Sequence, residues 1–399
     1  MHARYATLLG LFLPLLTAAQ ECGSGRYVAA DVFSAVTTTS AVPYGSNIAV
    51  AGGTQTLRMD VYEPTGDTVS ARPVVIVAFG GSFIAGTRAD VADICTDFAK
   101  RGYVAVAPDY RVGFFLPNAT TTTRAVMRGA HDMKAAVRYL RKSVAELGNP
   151  YHIDTTRIIS GGVSAGAISA IHAVYLDQDS EIPSVLSAEI SSLGGVEGNS
   201  GSPGYSSEVF AAYSFSGAIG DTSWIATDDT PIASIHDIGD VVVPYNTQEV
   251  SVAGIPTGLI ASGSHDLHLR ADNVGVVNCL KSYPGTGHVA YLTSDPVNAM
   301  NWTALFLGQL VCGGEVTCGA TGIAAIEEQS TLSPFPNPTA DVVRFSMKES
   351  TTAQVLDADG RVVLTQRCTV GANTMDMSAL RSGVYVLRVG SISQRVVKY

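Results

Sequence analysis

The rhythm of apolar and polar positions changes along this chain, and each change predicts a different element. From Tyr27 to about Asp67 the two kinds alternate. In TLRMDVYEP, Leu57, Met59 and Val61 fall on one side and polar residues on the other, which predicts a pair of antiparallel edge strands. From Pro73 to Ala78 alternation gives way to a continuous apolar run, and the same happens from Tyr103 to Ala107. Such runs belong to strands covered on both faces. Between them, Asp90 to Arg101 reads as a helix closed by Gly102. From Ala130 to Leu147 the period lengthens to that of an amphipathic helix. Met133, Val137, Leu140, Val144 and Leu147 form one stripe, Lys134, Arg138, Arg141 and Lys142 lie away from it, and Gly148 stops it.

The segment Arg157 to Ala170, RIISGGVSAGAISA, carries the chemistry. Ile158 and Ile159 run into Gly162-Val163-Ser164-Ala165-Gly166, and small helix-compatible residues follow. Strand, sharp turn and helix in that order make this G-x-S-x-G a nucleophile elbow, with Ser164 on a strained turn that lifts its hydroxyl clear of the sheet. A side chain at 162 or 166 would collide where strand and helix approach most closely. Further strands are expected at Pro231 to His236 and Asn278 to Tyr283, and a closing helix at Trp302 to Val311. The Ser/Gly-rich stretch Ser191 to Ser207 reads as a lid-like insertion over the strand ends or as a plain surface crossing.

Strands alternating with helices predict an α/β fold, a mostly parallel sheet with helices on both faces, over residues 20–312. At Gly313 the composition shifts to a linker, 313–331. The remainder, 332–399, has short alternating strands and turn signals such as Asp357 to Gly360 and Ser382-Gly383, the pattern of a small all-β sandwich.

Composition narrows the possibilities. The 399 residues are 46% hydrophobic, enough for a large core, and 25 Lys+Arg against 35 Asp+Glu give a formal charge of −10 without long runs of one sign. Nucleic-acid and anionic-membrane binding are thereby disfavoured. Residues 1–19, with Arg4, an apolar stretch from Ala6 to Leu16 and Thr17-Ala18-Ala19, read as a secretory leader, and no other segment is long and apolar enough to cross a membrane. The six cysteines then face an oxidising compartment, where disulfides are the default use. Sequence does not choose among the pairings; the local expectation is Cys312 with Cys318. No metal site is expected, and His265 with His268 reads as a surface pair lacking a third ligand.

Ser164 needs a base, and the base needs an orienting carboxylate. In such sheets reactive groups sit at the carboxyl ends of strands. Asp240 and His288 follow the strands expected at 231–236 and 278–283, giving the chain order Ser, Asp, His; Asp237 is the rival acid. Acyl transfer also needs N–H donors for an oxyanion, and Gly80, Gly81 and Ser82 after the first buried strand, with Ala165 at the elbow, are the candidates. This chemistry requires no cofactor.

From about residue 55 to 312 the chain resembles the α/β-hydrolases of the carboxylesterase and esterase/lipase group. The resemblance rests on FGGSF, GYVAVAPDYR, IDTTRIISGGVSAG, IHDIGDVVVPY and GTGH. It implies a Ser164, Asp240 and His288 triad, the oxyanion donors above, and an ester substrate, either a small molecule or polymer-borne. Phe79 stands where many relatives have His, Ser82 replaces a third glycine, and Val163 replaces the Glu often found there. From about Leu332 the chain is similar to the C-terminal sorting domain of type IX secretion cargo, through PNPTADVVRF, VLDADGRVV and SALRSGVYVLRV with the VVKY ending. That similarity implies export through the type IX machinery, to the medium or the outer-membrane surface. Taken together these features predict a secreted serine carboxylic-ester hydrolase. The competing readings are a secreted serine peptidase of the same fold and a non-catalytic adhesion protein on a hydrolase scaffold. The intact Ser, Asp and His count against the last.

Overall fold

The computed structural model describes residues 21–399 except 114, 319–333, 335, 348–349, 358–359 and 390–391. The leader expected at 1–19, most of the linker and part of the Asp357 to Gly360 turn lie outside them. Two compact units follow one another, within Met1–Gly322 and Ile323–Tyr399.

The first unit is built on a sheet of eight strands in the order β1-β2-β4-β3-β5-β6-β8-β11. These are β1 Val36–Ile48, β2 Thr54–Pro64, β3 Arg72–Ala78, β4 Val104–Pro108, β5 Ile153–Val163, β6 Ala211–Phe215, β8 Ile232–Asp237 and β11 Asn278–Tyr283. The β1–β2 and β2–β4 pairs are antiparallel, and the others are parallel. Every residue of β3, β4, β6 and β8 is buried, because helices cover both faces. These helices are α1 Ala92–Lys100, α2 Ala119–Leu147, α3 Ala165–Tyr175, α4 Ser264–Val274 and α5 Pro296–Val311. Sequence periodicity did not reveal a three-stranded antiparallel insert, β7 Ala218–Ile219, β9 Thr247–Val252 and β10 Ile255–Gly263 in the order β7-β10-β9.

Three expectations need correction. First, Cys312 bonds Cys22 and Cys318 bonds Cys279, while Cys95 and Cys368 are free and buried. Gly308 on α5 packs against Tyr27 and Val28, which brings the start of the described chain to the end of that helix and puts Cys22 in reach of Cys312. Second, Lys134 and Arg138 are buried despite lying off the apolar stripe of α2. The Lys134 ammonium donates to the carbonyls of Leu176 and Val196 and pairs with Glu197 at 3.2 Å, and Arg138 pairs with Glu197 at 3.0 Å. Third, the 191–207 stretch is therefore no lid. Glu197 fastens it to α2, as does Ser200, whose hydroxyl donates to Asp132 at 2.6 Å beside the buried Arg111–Asp132 pair. The stretch contributes nothing to the cavity at Ser164.

The second unit holds β12 Val342–Met347, β13 Thr351–Leu356, β14 Val362–Cys368, β15 Gly371–Asp376, β16 Gly383–Val389 and β17 Ile392–Lys398. β12 pairs with β15, and the other four form a sheet in the order β14-β13-β16-β17, all antiparallel. Alternate residues, among them Phe345, Met375 and Leu387, meet in one core. The all-β sandwich predicted from alternation is what forms. Among the described residues, no helix is long and apolar enough to cross a membrane.

Candidate functional site

β5 ends at Val163 and α3 begins at Ala165, so Ser164 occupies the single residue between them, at φ 54° and ψ −121°. A non-glycine residue in that conformation costs about 1–3 kcal/mol, and the surroundings must impose it. They do so by close backbone approach. A Cβ at Gly162 would lie 2.5 Å from the Ala78 carbonyl oxygen, one at Gly166 2.2 Å from the same oxygen, and one at Gly161 2.1 Å from the Tyr213 ring. The Ser164 N–H donates to the Phe215 carbonyl at 2.8 Å, tying the turn to the neighbouring strand.

Parallel pairing sets Asp237 at the end of β8 against Tyr283 at the end of β11, so the loops that follow emerge at one level. They are joined by Ile238 N–H to Tyr283 O at 2.9 Å and Gly239 N–H to Gly285 O at 2.7 Å. The structure thus brings together all three candidates. The Ser164 hydroxyl donates to His288 Nε2 at 2.7 Å, and His288 Nδ1–H donates to Asp240 Oδ2 at 2.7 Å. The Asp240 side chain has no solvent exposure, and that of His288 retains 19%. The other carboxylate oxygen, Oδ1, accepts from the N–H groups of Val242 at 2.8 Å and Val243 at 3.0 Å. Burial alone would raise the Asp240 carboxyl, but hydrogen bonds from His236 and His288 outweigh it and hold the group well below the usual carboxylate range. The rival Asp237 points elsewhere. Its carboxylate accepts from Ala290 N–H at 3.1 Å and steadies the histidine loop, and desolvation raises its proton affinity.

The oxyanion candidates divide. Ser82 and Ala165 line the same cavity as Ser164, and among the described residues neither N–H donates to another group. Gly80 and Gly81 instead line a separate cleft with Val163, Leu292 and Met300. Gly81 is needed for the turn itself: at φ 120°, a Cβ there would lie 2.1 Å from the Ala85 carbonyl oxygen. Phe79 is a core residue stacked on Tyr110 at 4.3 Å.

The cavity at Ser164 has a volume of about 70 Å³ and is lined chiefly by apolar side chains, including Val126, Ile168, Val243, Val250 and Leu259. Its outer wall is the β9–β10 hairpin. A second cleft of about 600 Å³, with Trp224 and several hydroxyls, shares Val126, His172, Gly220 and Leu259 with the first. His172 is not free to react. Its Nδ1–H donates to Ile168 O at 2.8 Å and its Nε2 accepts from Gly220 N–H at 3.2 Å, while burial pushes its pKa down to about 4. His268 is buried against Asn278 rather than paired with His265 at the surface, and no group of three or more metal-ligating side chains forms among the described residues.

Sequence reasoning missed two contributors, the hairpin wall and His236. Wholly buried at the end of β8, His236 puts Nε2 3.3 Å from Asp240 Oδ2. The i,i+4 spacing of His236 and Asp240 in HDIGD was its only signal.

Sheet order, elbow and loop positions are those of the α/β-hydrolase fold. Residues 59–196 match the BD-FAE family, and residues 333–399 match the secretion system C-terminal sorting domain. The chain thus combines an α/β-hydrolase fold, part of which is similar to the BD-FAE family, with a C-terminal region similar to the sorting domain of secretion-system cargo. No curated protein matches it. Similar solved structures include esterase 2 of Thermogutta terrifontis. Its apo form is 22% identical with TM-score 0.42, over 62% of this chain and 86% of that one. The propionate-bound form is 21% identical with TM-score 0.42 over the same shares. The paraoxon-phosphorylated form is 22% identical with TM-score 0.42, over 62% and 85%.

Proposed function

We propose that the protein is a secreted serine hydrolase that cleaves carboxylic esters through an acyl-enzyme, with Ser164 as nucleophile, His288 as base and acid, and Asp240 as the orienting carboxylate. The observation that carries this reading is the unbroken run of 2.7 Å contacts from Ser164 Oγ through His288 to Asp240. His288 Nε2 takes the Ser164 proton as Oγ attacks the ester carbonyl. The imidazolium formed keeps its Nδ1–H on the Asp240 carboxylate. Negative charge developing on the carbonyl oxygen meets the unused N–H groups of Ser82 and Ala165. Each such donor is worth about 3–4 kcal/mol in comparable sites. Collapse expels the alcohol, which takes the proton from His288, and water activated by the same imidazole releases the acid. The apolar lining beside Ser164 favours an apolar acyl group. The sorting domain directs the enzyme, behind a leader at 1–19, through the type IX machinery to the cell surface or medium.

The test is hydrolysis of p-nitrophenyl esters of graded acyl length by the full chain and by Ser164→Ala. Loss of roughly 10⁴-fold or more in kcat for Ser164→Ala, with loss of fluorophosphonate labelling, is the expected result. Ester hydrolysis that survives the substitution would remove Ser164 from the mechanism. Labelling of Ser164 without ester turnover, together with amide cleavage, would favour the peptidase.

A further inference from the structure

We infer that His236 is a positioning residue for the candidate triad, fixing the Asp240 carboxylate through the same oxygen that His288 addresses; this rests on the reading of Ser164, His288 and Asp240 given above. Both histidines address one oxygen. His288 Nδ1 lies 2.7 Å and His236 Nε2 3.3 Å from Asp240 Oδ2, while Oδ1 takes the Val242 and Val243 N–H groups. Three N–H groups donate to the carboxylate, the His236 Nε2–H stands at a longer 3.3 Å from Oδ2, and the Asp240 side chain has no exposure to solvent.

The ring of His236 is held as firmly as the group it addresses. Nε2 also lies 3.2 Å from the Val243 carbonyl oxygen. With two acceptors before it, Nε2 carries the hydrogen, and Nδ1 is left to the Ser264 hydroxyl at 2.8 Å. Tyr245 packs edge-on against the ring with centroids 5.5 Å apart. His236 has no solvent exposure and lines no part of the Ser164 cavity, so substrate does not reach it. Its one route to the chemistry runs through Asp240. The Val242 and Val243 N–H groups hold Oδ1, and the His236 Nε2–H adds to the restraint that His288 places on Oδ2 and withdraws electron density from the oxygen that holds His288.

Loss of the Nε2–H has a definite sign. Asp240 Oδ2 becomes more electron-rich, the His288 imidazolium is stabilised, and the acidic limb of kcat/KM moves to higher pH. The other ionisable groups facing this cluster are Asp237, Tyr291 and Tyr245, and all three stay in place in the variants below.

The experiment compares His236→Leu, His236→Gln and Ser264→Ala in the full chain, each with kcat, KM, the pH profile and a melting curve, beside Ser164→Ala. Removing a hydrogen bond to a charged group predicts a fall of about tenfold or more in kcat for His236→Leu, with KM within about twofold. It also predicts an acidic limb raised by about half a pH unit. His236→Gln, which restores an N–H near the same place, recovers most of both. Ser264→Ala, which frees the tautomer, shifts both in the same direction by less, and it carries the test if His236→Leu fails to fold. Unchanged kcat and limb in a folded His236→Leu, or in Ser264→Ala where that variant carries the test, overturns the inference. Equal impairment of the Leu and Gln variants, tracking melting temperature alone, overturns it too. Activity lost in Ser164→Ala but untouched in His236→Leu sinks only the role of His236, whereas activity kept in Ser164→Ala sinks the triad reading itself.

Discussion

On one side of Ser164 lies the parallel sheet; on the other lies the β9–β10 hairpin, and the two are held together by different physics. The sheet side is backbone against backbone. β3, β6 and β8 are buried along their whole length, and Gly161, Gly162 and Gly166 sit where no side chain fits. The hairpin side is half solvent. β9 is exposed over its first residues, and β10 pairs with it across a register shift between Pro256 and Ile260. One region fixes atoms for chemistry within tenths of an ångström, and the other supplies a wall whose shape can vary without moving them. Substitutions on the sheet side should destroy the protein or its activity, and those on the hairpin should change what it accepts.

The sharpest contrast is between two glycines. Gly166→Val drives a side chain into the Ala78 and Phe79 carbonyl oxygens, which a Cβ would meet at 2.2 and 2.4 Å. Backbone cannot yield there as a side chain would, so a cost of at least about 3 kcal/mol and loss of soluble, active protein are expected. Gly254→Ala, at the hairpin turn, meets nothing within 4 Å and pays only for its φ of 78°. That amounts to about 1–2 kcal/mol. Urea melts of both variants check the difference. Equal stabilities would mean that the elbow is not held by close backbone approach.

Acid probes the seam between the two sides. His172 on α3 takes the Gly220 N–H on its Nε2, joining the sheet side to the strand that begins the insert. Its folded pKa of about 4 lies below the ordinary 6.5. Between those values the unfolded chain binds a proton that the native chain does not, so stability falls as pH drops from about 6.5 to 4 and is flat with respect to this group above that window. The full effect is on the order of 3 kcal/mol. His131 and His268, also pushed down to about 4 by burial, add in the same direction. His172→Gln should flatten part of the decline, read from denaturant melts at pH 7 and pH 4.5. An unchanged slope would show that His172 does not carry its share.

The same contrast explains what could be read from the sequence. The continuous runs of β3 and β4 and the alternation of β12 and β16 state their own burial, because every residue in the first pair is covered and buried residues alternate with uncovered ones in the second. That Ser164, Asp240 and His288 meet was legible because parallel strands deliver their carboxyl ends to one edge. The hairpin was not, since its apolar residues are split between a pocket face and an exposed face bearing Ile255 and Ile260. Nor was the burial of Lys134 and Arg138, which depends on Glu197 arriving from some sixty residues away. The cysteine pairing failed for a related reason. Loop length favours a near partner, but the native approach of distant segments decides.

A smaller effect separates the wall from the loop that merely resembled one. Leu259 lines both the cavity at Ser164 and the cleft beyond it, so Leu259→Ala should join the two spaces. A longer acyl chain then gains room while a short one loses contact, and the octanoyl-to-acetyl ratio of kcat/KM should rise about tenfold, the usual worth of one to two methylenes in an apolar pocket. Glu197→Gln serves as the control. It weakens the pairs with Lys134 and Arg138 and lowers the melting temperature, yet should leave that ratio unchanged because residues 191–207 do not reach the cavity. A ratio that moved with Glu197→Gln and not with Leu259→Ala would return selectivity to the loop and reduce the hairpin to scaffolding.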